Sequence, residues 1–520
     1  DVIWGMSVNG RQAMMSPIKN VFVLTTVVAL LGMAMPGLAD APKMTTDIPE
    51  SIIIPDELDT RIGKLKFFDG FPLAETANKA LNYLDFHRGV DVFLDEMRAA
   101  SMFALREGHR GVGITKFNQV GVFMSLMDSK SLWLTANTET VYASTFLDLS
   151  KVGPIVIESP PDVLGILDDM WMRYVGDIGM AGPDKGEGGK FLVLPPGYRG
   201  EVPNGYFVFR SKTYGVWLIL RGFLVNGDPK QATESFRKHL RIYPLSMKDK
   251  PPAMEFIDLS GKFHNTIHAN DFNFFEEINS LIQSEHDDAI SAEQRGRLAL
   301  IGIEKGKSFD PNDSMSKSLN EAALVGAAIA RSLSWASRDD TVYFYPDDDR
   351  TWFSAFAIGN HEFMSGNWLH RDARGIFMYN AIGITPAMAV AMPGVGSQYA
   401  AAVRDANGDY LDGAKTYRLT LPKNIPAKDF WSFVLYDSQT RSMLQTDQQY
   451  PSLNSERDEV KANSDGSTDI YFGPTPPAGK EKNWIQTVPG KGFWLILRLY
   501  GPLEPWFDKT WRPGKIELVN

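Results

Sequence analysis

Short apolar runs separated by polar, Gly- and Pro-containing turns recur along this chain, and one such run occurs twice. Residues 215–221 have the sequence GVWLILR, and residues 492–498 have the sequence GFWLILR. A segment with two adjacent prolines and a glycine precedes each copy. A short continuous apolar run that follows a turn is typical of a buried strand, so each copy predicts a strand. Repetition of one unit at two distant places predicts two related β-domains.

Short strand patterns separated by Gly and Pro turns fill residues 114–225 and 398–520. They predict an antiparallel β-sandwich or jelly-roll domain in each region. Residues 40–113 combine short strands with packing helices. The fold class predicted is therefore mainly β with a helical middle (α+β), with two sandwich domains that look duplicated.

Residues 226–397 carry apolar positions at helical spacing and form the predicted helical middle. Ser291 and Ser318 each stand three residues before a Gln or Glu and ahead of an apolar periodic run. This arrangement is typical of a capping box, in which the Ser and the Gln or Glu bond to each other's backbone N–H. Both serines are therefore predicted to begin helices.

Residues 1–39 are predicted to be upstream sequence followed by a secretory signal peptide. A short basic start near Met14 leads into an apolar run over residues 21–35, and small residues precede Asp40. The run is too short for a membrane-spanning helix. We expect cleavage near Ala39/Asp40, a periplasmic or secreted mature protein, and no membrane span after signal removal.

Composition narrows the classes of function. The chain has a formal net charge of −10 and no basic run, which makes nucleic acid and anionic membranes poor partners. It has no cysteine, which excludes thiol catalysis, disulfides, thiolate zinc sites and cysteine-ligated iron–sulfur clusters. Its 12 Trp, 17 Tyr and 31 Phe suit strands and sugar- or ring-binding surfaces alike. The sequence identifies no cofactor and assigns no metal site.

Several short motifs resemble known families. Residues 137–142 (NTETVY), 147–149 (LDL) and 169–171 (DMW) resemble domain of unknown function 1254. A second set resembles its usual C-terminal partner, domain of unknown function 1214: residues 436–437 (YD), 465–467 (DGS), 483–484 (NW) and 498–502 (RLYGP). The resemblance implies two sandwiches, largely jelly-roll, with a helical middle, in exported bacterial proteins. It implies no established reaction.

The first candidate site rests on a strand predicted over residues 168–177. Alternation in such a strand places four residues on one face: Asp169, Trp171, Arg173 and Asp177. The carboxylates and the guanidinium are candidate catalytic groups, and the indole is a candidate substrate contact. The alternative is a solvated outer face of the sheet with an ordinary Arg–Asp pair.

Further candidates lie in polar groups elsewhere in the chain. Asn137 and Tyr142 are substrate-binding candidates, with a hydrogen-bonded strand edge as the alternative. In the helical middle the candidates are His361, Glu362 and Asp372 for catalysis and Arg374 for substrate binding, with a salt-bridged helix surface as the alternative.

His264 and His268 have the i, i+4 spacing of a helical metal pair, but Asn265 stands where the zinc-protease motif needs Glu. Two surface histidines are the preferred interpretation of this pair.

Two functions remain open. The first is a hydrolase or lyase that acts on a carbohydrate or small polar substrate, with carboxylates and Arg at a domain cleft. The alternative is a non-catalytic envelope protein that binds a glycan or another subunit. We expect any active site to lie where the first sandwich meets the helical middle. The expected partner is a small molecule or a glycan. The sequence leaves open whether the protein forms a homo-oligomer.

Overall fold

The computed structural model describes residues 45–346, 350–354 and 356–519. The predicted signal peptide and its cleavage point lie outside the described residues. Within the described ranges, no helix is both long and apolar enough to cross a membrane. The first elements are three strands and one long helix: β1 (Glu57–Thr60), β2 (Gly63–Phe68), β3 (Phe71–Pro72) and α1 (Ala74–Gly111).

Helix α1 is a single helix of 38 residues, where the sequence predicted shorter packing helices. Most of its buried positions follow Gly89 and include Val92, Phe93 and Met97, so its C-terminal half runs through the core. A Cβ added at Gly89 would lie 2.6 Å from the Cβ of Ala322, so glycine lets a second helix approach closely there.

The first β-unit has two larger sheets and a short strand pair. Its elements are β4 (Gln119–Val122), β5 (Ser131–Leu132), β6 (Thr140–Asp148), α2 (Leu149–Val152), β7 (Ile155–Ser159), β8 (Val163–Asp169), β9 (Tyr174–Gly179), β10 (Gly189–Leu194), β11 (Phe207–Arg210), β12 (Gly215–Phe223), α3 (Lys230–His239), β13 (Arg241–Pro244), β14 (Glu255–Asp258) and β15 (His264–Asn265). The six-stranded sheet has the order β14-β4-β6-β12-β8-β9, and the four-stranded sheet has β11-β10-β7-β13. One hydrophobic cluster contains side chains of both sheets, among them Leu218 and Ile157.

The middle of the chain is helical. Its elements are α4 (Asn273–Ser284), α5 (Ala292–Ala299), α6 (Asp313–Trp335), β16 (Trp352–Phe353), β17 (Met364–Ser365), β18 (Trp368–Leu369), α7 (Arg371–Asn380) and α8 (Pro386–Ala389). Ser291 forms the predicted capping box with Gln294 at the start of α5. The prediction for Ser318 is wrong, because that residue lies inside α6, and Asn312 caps this helix. The capping-box pattern at Ser318 is therefore not used, because the helix begins six residues earlier, at the N-cap Asn312.

The second β-unit again has two larger sheets. Its elements are β19 (Ser397–Ala402), β20 (Tyr417–Leu421), β21 (Ala427–Asp437), β22 (Ser452–Asn454), β23 (Thr468–Gly473), β24 (Trp484–Gln486), β25 (Phe493–Pro502), α9 (Glu504–Phe507) and β26 (Ile516–Leu518). The sheet orders are β16-β19-β25-β21-β22 and β24-β23-β20-β26. The fold is thus mixed α/β with mostly antiparallel sheets, which confirms the β-rich character expected from the sequence.

The two repeated stretches become β12 and β25, and each lies between two antiparallel neighbours. Trp217 is 1% exposed and Trp494 is 2% exposed, which confirms that the two copies bury this residue alike. One face of each strand meets a central hydrophobic cluster that also contains side chains of the helices. Trp217 and Ile219 of β12 contact this cluster, and so do Trp494 and Ile496 of β25. The alternate leucines fill the core of their own β-unit. The two repeated strands therefore turn equivalent faces toward the middle of the molecule.

Candidate functional site

A cavity of about 280 Å³ lies where the helical middle meets the first β-unit. Trp171, from the turn between β8 and β9, lines one side of it. The other walls come from the end of α4, from α5 and from the segment after α5: Ile282, Glu285, Arg295, Leu298, Ile303 and Lys305. This is the boundary at which the sequence predicts an active site, and Trp171 is one of the predicted substrate contacts.

The end of α4 brings Glu285 to this cavity. The apolar stripe of α4 is buried in the central cluster, through Phe274, Phe275, Ile278 and Leu281. The helix ends at Ser284, and the carboxylate of Glu285 accepts backbone N–H bonds from Tyr214 at 2.6 Å and from Gly215 at 3.2 Å. A Cβ at position 215 would lie 2.6 Å from the Cγ atom of Met170 and 3.0 Å from the Oε1 atom of Glu285, so glycine at the start of β12 makes room for both side chains.

Burial sets the protonation of Glu285. The side chain is only 2% exposed, and this burial raises the pKa of Glu285 to about 7, against the N–H bonds from Tyr214 and Gly215 and the nearby charge of Arg106. The guanidinium of Arg106 lies 3.9 Å from the carboxylate. A carboxyl group with a pKa near neutrality can both give and take a proton under physiological conditions.

The rim of the cavity is polar and partly cationic. The guanidinium of Arg295 donates to the carbonyl oxygens of Asp287 and Ile290, at 2.6 and 2.8 Å. The ammonium of Lys305 pairs with the carboxylate of Asp287 at 2.9 Å and donates to the carbonyl of Glu285. Both side chains are exposed, so their charges can meet a polar or anionic ligand entering from solvent.

Trp171 connects the cavity to a buried charge network. Its indole Nε1 donates to the carboxylate of Glu96 at 2.6 Å. The residue before Glu96 in α1, Asp95, accepts from Arg374 at 2.8 Å and from Arg371 at 3.1 Å, and it also pairs with Arg297. The network joins α1, α5 and α7, so the wall that holds Trp171 is fixed by three helices.

A second, more open cavity of about 380 Å³ lies beside α1 and includes His264 and Glu277. Burial raises the pKa of Glu277 to about 8 and lowers the pKa of His264 to about 4. His264 accepts a hydrogen bond from the indole of Trp133 at 2.7 Å. A neutral imidazole held by an indole is a packing arrangement, so the acid–base candidate of this cavity is Glu277, whose carboxylate accepts a hydrogen bond from the backbone N–H of Ala269 at 3.1 Å.

The preferred interpretation of His264 and His268 as surface residues is wrong. They are 4% and 3% exposed, and His264 lies in the short strand β15 rather than in a helix. Across the described ranges, no group of three or more His, Asp or Glu residues could hold a metal ion. Because both imidazoles are buried, they are part of the core.

The predicted strand over residues 168–177 is wrong, because the chain turns inside it. Strand β8 ends at Asp169, Met172 has a φ of 49°, and β9 begins at Tyr174. The Asp169 carboxylate accepts from the backbone N–H groups of Trp171 and Arg173 and pairs with the Arg173 guanidinium at 2.6 Å. Asp169 and Arg173 therefore close a turn, and they do not share a face with Asp177.

Asp168, which is not among the candidates predicted from the sequence, lies on the same sheet face as Asp177. Asp168 pairs across strands with Trp217, and Asp177 pairs with Ile166, two residues before Asp168. The Asp177 carboxylate accepts from Thr385 at 2.7 Å and from Tyr174 at 3.0 Å, and burial raises its pKa. The register between β8 and β12 sets this face, and no local pattern in the sequence indicates that register.

His361 is the one predicted catalytic residue of the middle region that approaches Asp177. Its ring lies 5.7 Å from the ring of Tyr174, whose hydroxyl bonds to Asp177. Glu362 and Asp372 are exposed and stand apart from this cluster. Arg374 pairs with Asp95 of α1 at 2.8 Å, and because both side chains are buried, this pair is not the helix-surface salt bridge of the alternative interpretation.

Asn137 and Tyr142 lie at the boundary of the two β-units, away from the cavity of Glu285. Asn137 accepts from the backbone N–H of Glu139 at 3.1 Å, which fixes the turn before β6. The Tyr142 hydroxyl accepts from Arg221 at 3.3 Å.

No sequence motif indicates Glu285, because its partners Tyr214 and Gly215 are distant along the chain.

Comparison with known proteins agrees with the motifs. Residues 117–244 match the model described as Protein of unknown function (DUF1254), and residues 396–504 match Protein of unknown function (DUF1214). No curated protein matches the chain.

Among solved structures, the VPA0106 protein from Vibrio parahaemolyticus is similar at 19% identity and a TM-score of 0.48, over 83% of this chain and 100% of that chain. A putative uncharacterized protein from Burkholderia cenocepacia is similar at 11% identity and a TM-score of 0.38, over 86% of this chain and 99% of that chain. By the two family models, the chain contains a DUF1254 region followed by a DUF1214 region, in the order that the sequence motifs predicted.

Proposed function

We propose that the protein is an enzyme, a hydrolase or a lyase, that acts on a carbohydrate or another small polar substrate in the Glu285 cavity. The observation that carries the proposal is the carboxyl group of Glu285, which is buried beside a cavity and has a pKa raised to about 7. Shifted carboxyl groups in concave sites are frequent in acid–base catalysis.

The groups around the cavity supply the remaining roles. Glu285 is the acid–base residue, and Arg106 stabilises its carboxylate form. Arg295 and Lys305 hold the polar or anionic part of the substrate at the rim, while Trp171 and the aliphatic walls hold its apolar part.

Both reaction types use Glu285 through one proton. In hydrolysis, protonated Glu285 gives its proton to the leaving oxygen while water adds to the other fragment, and the proton that this water loses returns to the Glu285 carboxylate. In elimination, the Glu285 carboxylate takes a carbon-bound proton as the bond to the leaving oxygen breaks, and solvent water supplies the proton that the leaving oxygen takes up.

A non-catalytic glycan-binding or interaction protein is the second candidate. The hydrogen bonds from Tyr214 and Gly215 to Glu285 favour it, because they give the carboxylate a structural role in fixing the start of β12. Under this alternative the cavity binds its ligand without chemical change.

We further propose that the two β-units are duplicated sandwich or jelly-roll domains and that the mature protein is periplasmic or secreted. The shared cores of paired sheets and the equivalent faces of β12 and β25 support the duplication. The apolar run and small-residue pattern of residues 1–39 support export.

Product assays on a panel of oligosaccharides and polysaccharides test the enzyme. Hydrolysis releases reducing ends, whereas elimination from uronate sugars forms a carbon–carbon double bond that absorbs in the ultraviolet. We expect Glu285→Gln to lower turnover by about 10²–10⁴-fold, the usual contribution of a general acid or base. Glu276→Gln, at an exposed position of α4, is the matched control and should keep full activity.

Two results would contradict the proposal. One is full turnover by folded Glu285→Gln protein on any substrate that the wild type converts. The other is saturable binding of a panel glycan, lost in Trp171→Phe protein, with no product formed. That second result would support the non-catalytic alternative.

A further inference from the structure

The two repeated strands bring an arginine each to one buried cluster between the β-units. Arg221 ends the repeat in β12, and Arg498 ends the repeat in β25. We call their surroundings the arginine–tyrosine cluster, which consists of Glu139, Tyr142, Arg221, Tyr399, Ser432, Tyr436, Arg498 and Tyr500. In the sequence the repeat indicates architecture alone, and only the structure shows that its two arginines converge.

Strand register explains why these side chains meet. Arg221 stands directly opposite Tyr142 on β6, and Arg498 stands opposite Tyr399 on one side and Ser432 on the other. The arginine carbons lie 5.4 Å from the Tyr142 ring and 5.6 Å from the Tyr399 ring, respectively. The sheet that contains β12 and the sheet that contains β25 therefore each turn a polar group of side chains toward the other, beside the apolar side chains that the two sheets also bury there.

Arg498 keeps unused hydrogen-bond donors in this buried place. Its Nη2 atom donates to the hydroxyl of Tyr436 at 2.6 Å and to the carbonyl of Thr135 at 2.9 Å. Its Nε and Nη1 atoms, and the hydroxyl of Ser432 beside it, have no partner among the described residues. Arg498 is 3% exposed and Ser432 is fully buried, so ordinary solvation does not satisfy these groups.

The charges of the cluster do not balance. Neither arginine lies within 4.0 Å of a carboxylate in the part of the chain that the structure describes. Glu139 is the carboxylate of the cluster, and it accepts from Tyr500 at 3.3 Å and from Thr138 instead. Burial raises the pKa of Tyr436 and of Tyr500, so both phenols stay neutral. Two guanidinium groups and one carboxylate leave one excess positive charge, and an uncompensated buried charge is costly.

We propose that the arginine–tyrosine cluster is a binding site for a small molecule that carries a single carboxylate. A carboxylate would accept hydrogen bonds from the free donors of Arg498 and Ser432 and would bring the formal charge of the cluster to zero. A dianion such as phosphate would leave one excess negative charge, which makes it the poorer ligand. Arg221 and Tyr399 are partly exposed, so the cluster has a side that solvent reaches.

The site is independent of the Glu285 cavity. Its groups come from the turn before β6 and from β6, β12, β19, β21 and β25, and none of them lines that cavity. The proposed enzyme activity can therefore fail while this binding site is real, and the reverse also holds.

Thermal unfolding with simple anions as probes tests the site. We expect the Tm of the wild-type protein to rise by several degrees and to saturate as sodium formate or sodium acetate replaces sodium chloride at constant ionic strength. Ligands that bind only the folded state stabilise it in this way. Sodium phosphate should give a smaller rise.

Three variants locate the effect. Arg498→Gln should abolish the carboxylate-dependent rise, and Ser432→Ala, which removes only an unpaired hydroxyl, should reduce it while the protein stays folded. Arg418→Gln, at an exposed arginine paired with Glu517, is the control and should respond like the wild type. No rise in the wild type, an equal rise in Ser432→Ala, or a larger rise with phosphate than with formate would overturn the proposal.

Discussion

At the residue scale, Glu285 combines deep burial with contacts to another part of the chain. Its carboxylate bonds to the backbone at the start of β12, and its pKa is raised from 4.5 to about 7 because burial disfavours the charge. Between pH 4.5 and about pH 7, the carboxyl group of Glu285 is therefore mostly protonated in the folded protein and mostly ionised in the unfolded chain. Stability from this group is present below pH 4.5 and is lost as the pH rises to about 7.

We predict that Glu285→Gln removes this pH dependence. Relative to the variant, the wild type should lose about 3 kcal/mol of unfolding free energy between the two pH limits, since a tenfold difference in proton affinity between the folded and unfolded states corresponds to about 1.4 kcal/mol. Urea unfolding of both proteins across this range measures the difference. Glu276→Gln should keep the wild-type slope, and a parallel slope in Glu285→Gln would show that the carboxyl is not perturbed.

Trp171 offers a second prediction at the same scale. Replacement by Phe keeps an aromatic ring but deletes the indole N–H that donates to Glu96. We expect a loss of about 1–3 kcal/mol, because the Oε2 atom of the buried Glu96 carboxylate then loses the indole donor. Denaturant unfolding measures it, with Trp368→Phe at a 54% exposed position as control. Equal stability of the two variants would argue against the buried Trp171–Glu96 bond.

At the element scale, one carboxylate ties three helices together. Asp95 on α1 meets Arg297 of α5 and Arg371 and Arg374 of α7. We predict that Asp95→Asn costs about 3 kcal/mol or more, because it leaves the buried guanidinium of Arg374 without its charge partner.

Chemical denaturation measures the cost of Asp95→Asn, and Glu57→Gln supplies the comparison. Glu57 forms an exposed pair with Lys64, and solvent screening leaves such a pair little effect on stability. A cost for Asp95→Asn as small as that for Glu57→Gln would mean that the three helices do not depend on this network.

The helices and strands also show which parts of the fold could be predicted from the sequence. The strands β12 and β25 and the capping box at Ser291 follow from local pattern, and all are present. The turn between β8 and β9 carries no Gly or Pro, and its reversal relies on Asp169 accepting backbone N–H groups and on a positive φ at Met172. A local pattern without a turn residue therefore predicted one strand where there are two.

The candidate site was predictable only in its location. Trp171 and the boundary between the first β-unit and the helical middle were identified, but Glu285 was not. Its pKa depends on burial by α4 and α5 and on contacts with Tyr214 and Gly215, which only the tertiary fold creates. Likewise, the repeat places an arginine at the end of each copy, but the convergence of the two arginines depends on how the two β-units pack.

At the scale of the whole molecule, one central core joins all parts. Its buried members include Trp217 of the first β-unit, Phe93 of α1, and Trp494 of the second β-unit. We predict that the protein unfolds in a single cooperative transition, because separating the β-units would expose this shared apolar surface to water. Scanning calorimetry should give one peak, and two resolved peaks would contradict a shared core.

The central claim is that the cavity beside Trp171 and Glu285 binds a small polar substrate. Crystals of the protein soaked separately with monosaccharides, disaccharides and small uronates test it most directly. The predicted result is ligand density in this cavity, with a polar atom within hydrogen-bond distance of Glu285, Arg295 or Lys305. The contradicting result is a cavity that stays free of ligand in every soak while the same compounds bind in defined density elsewhere on the molecule.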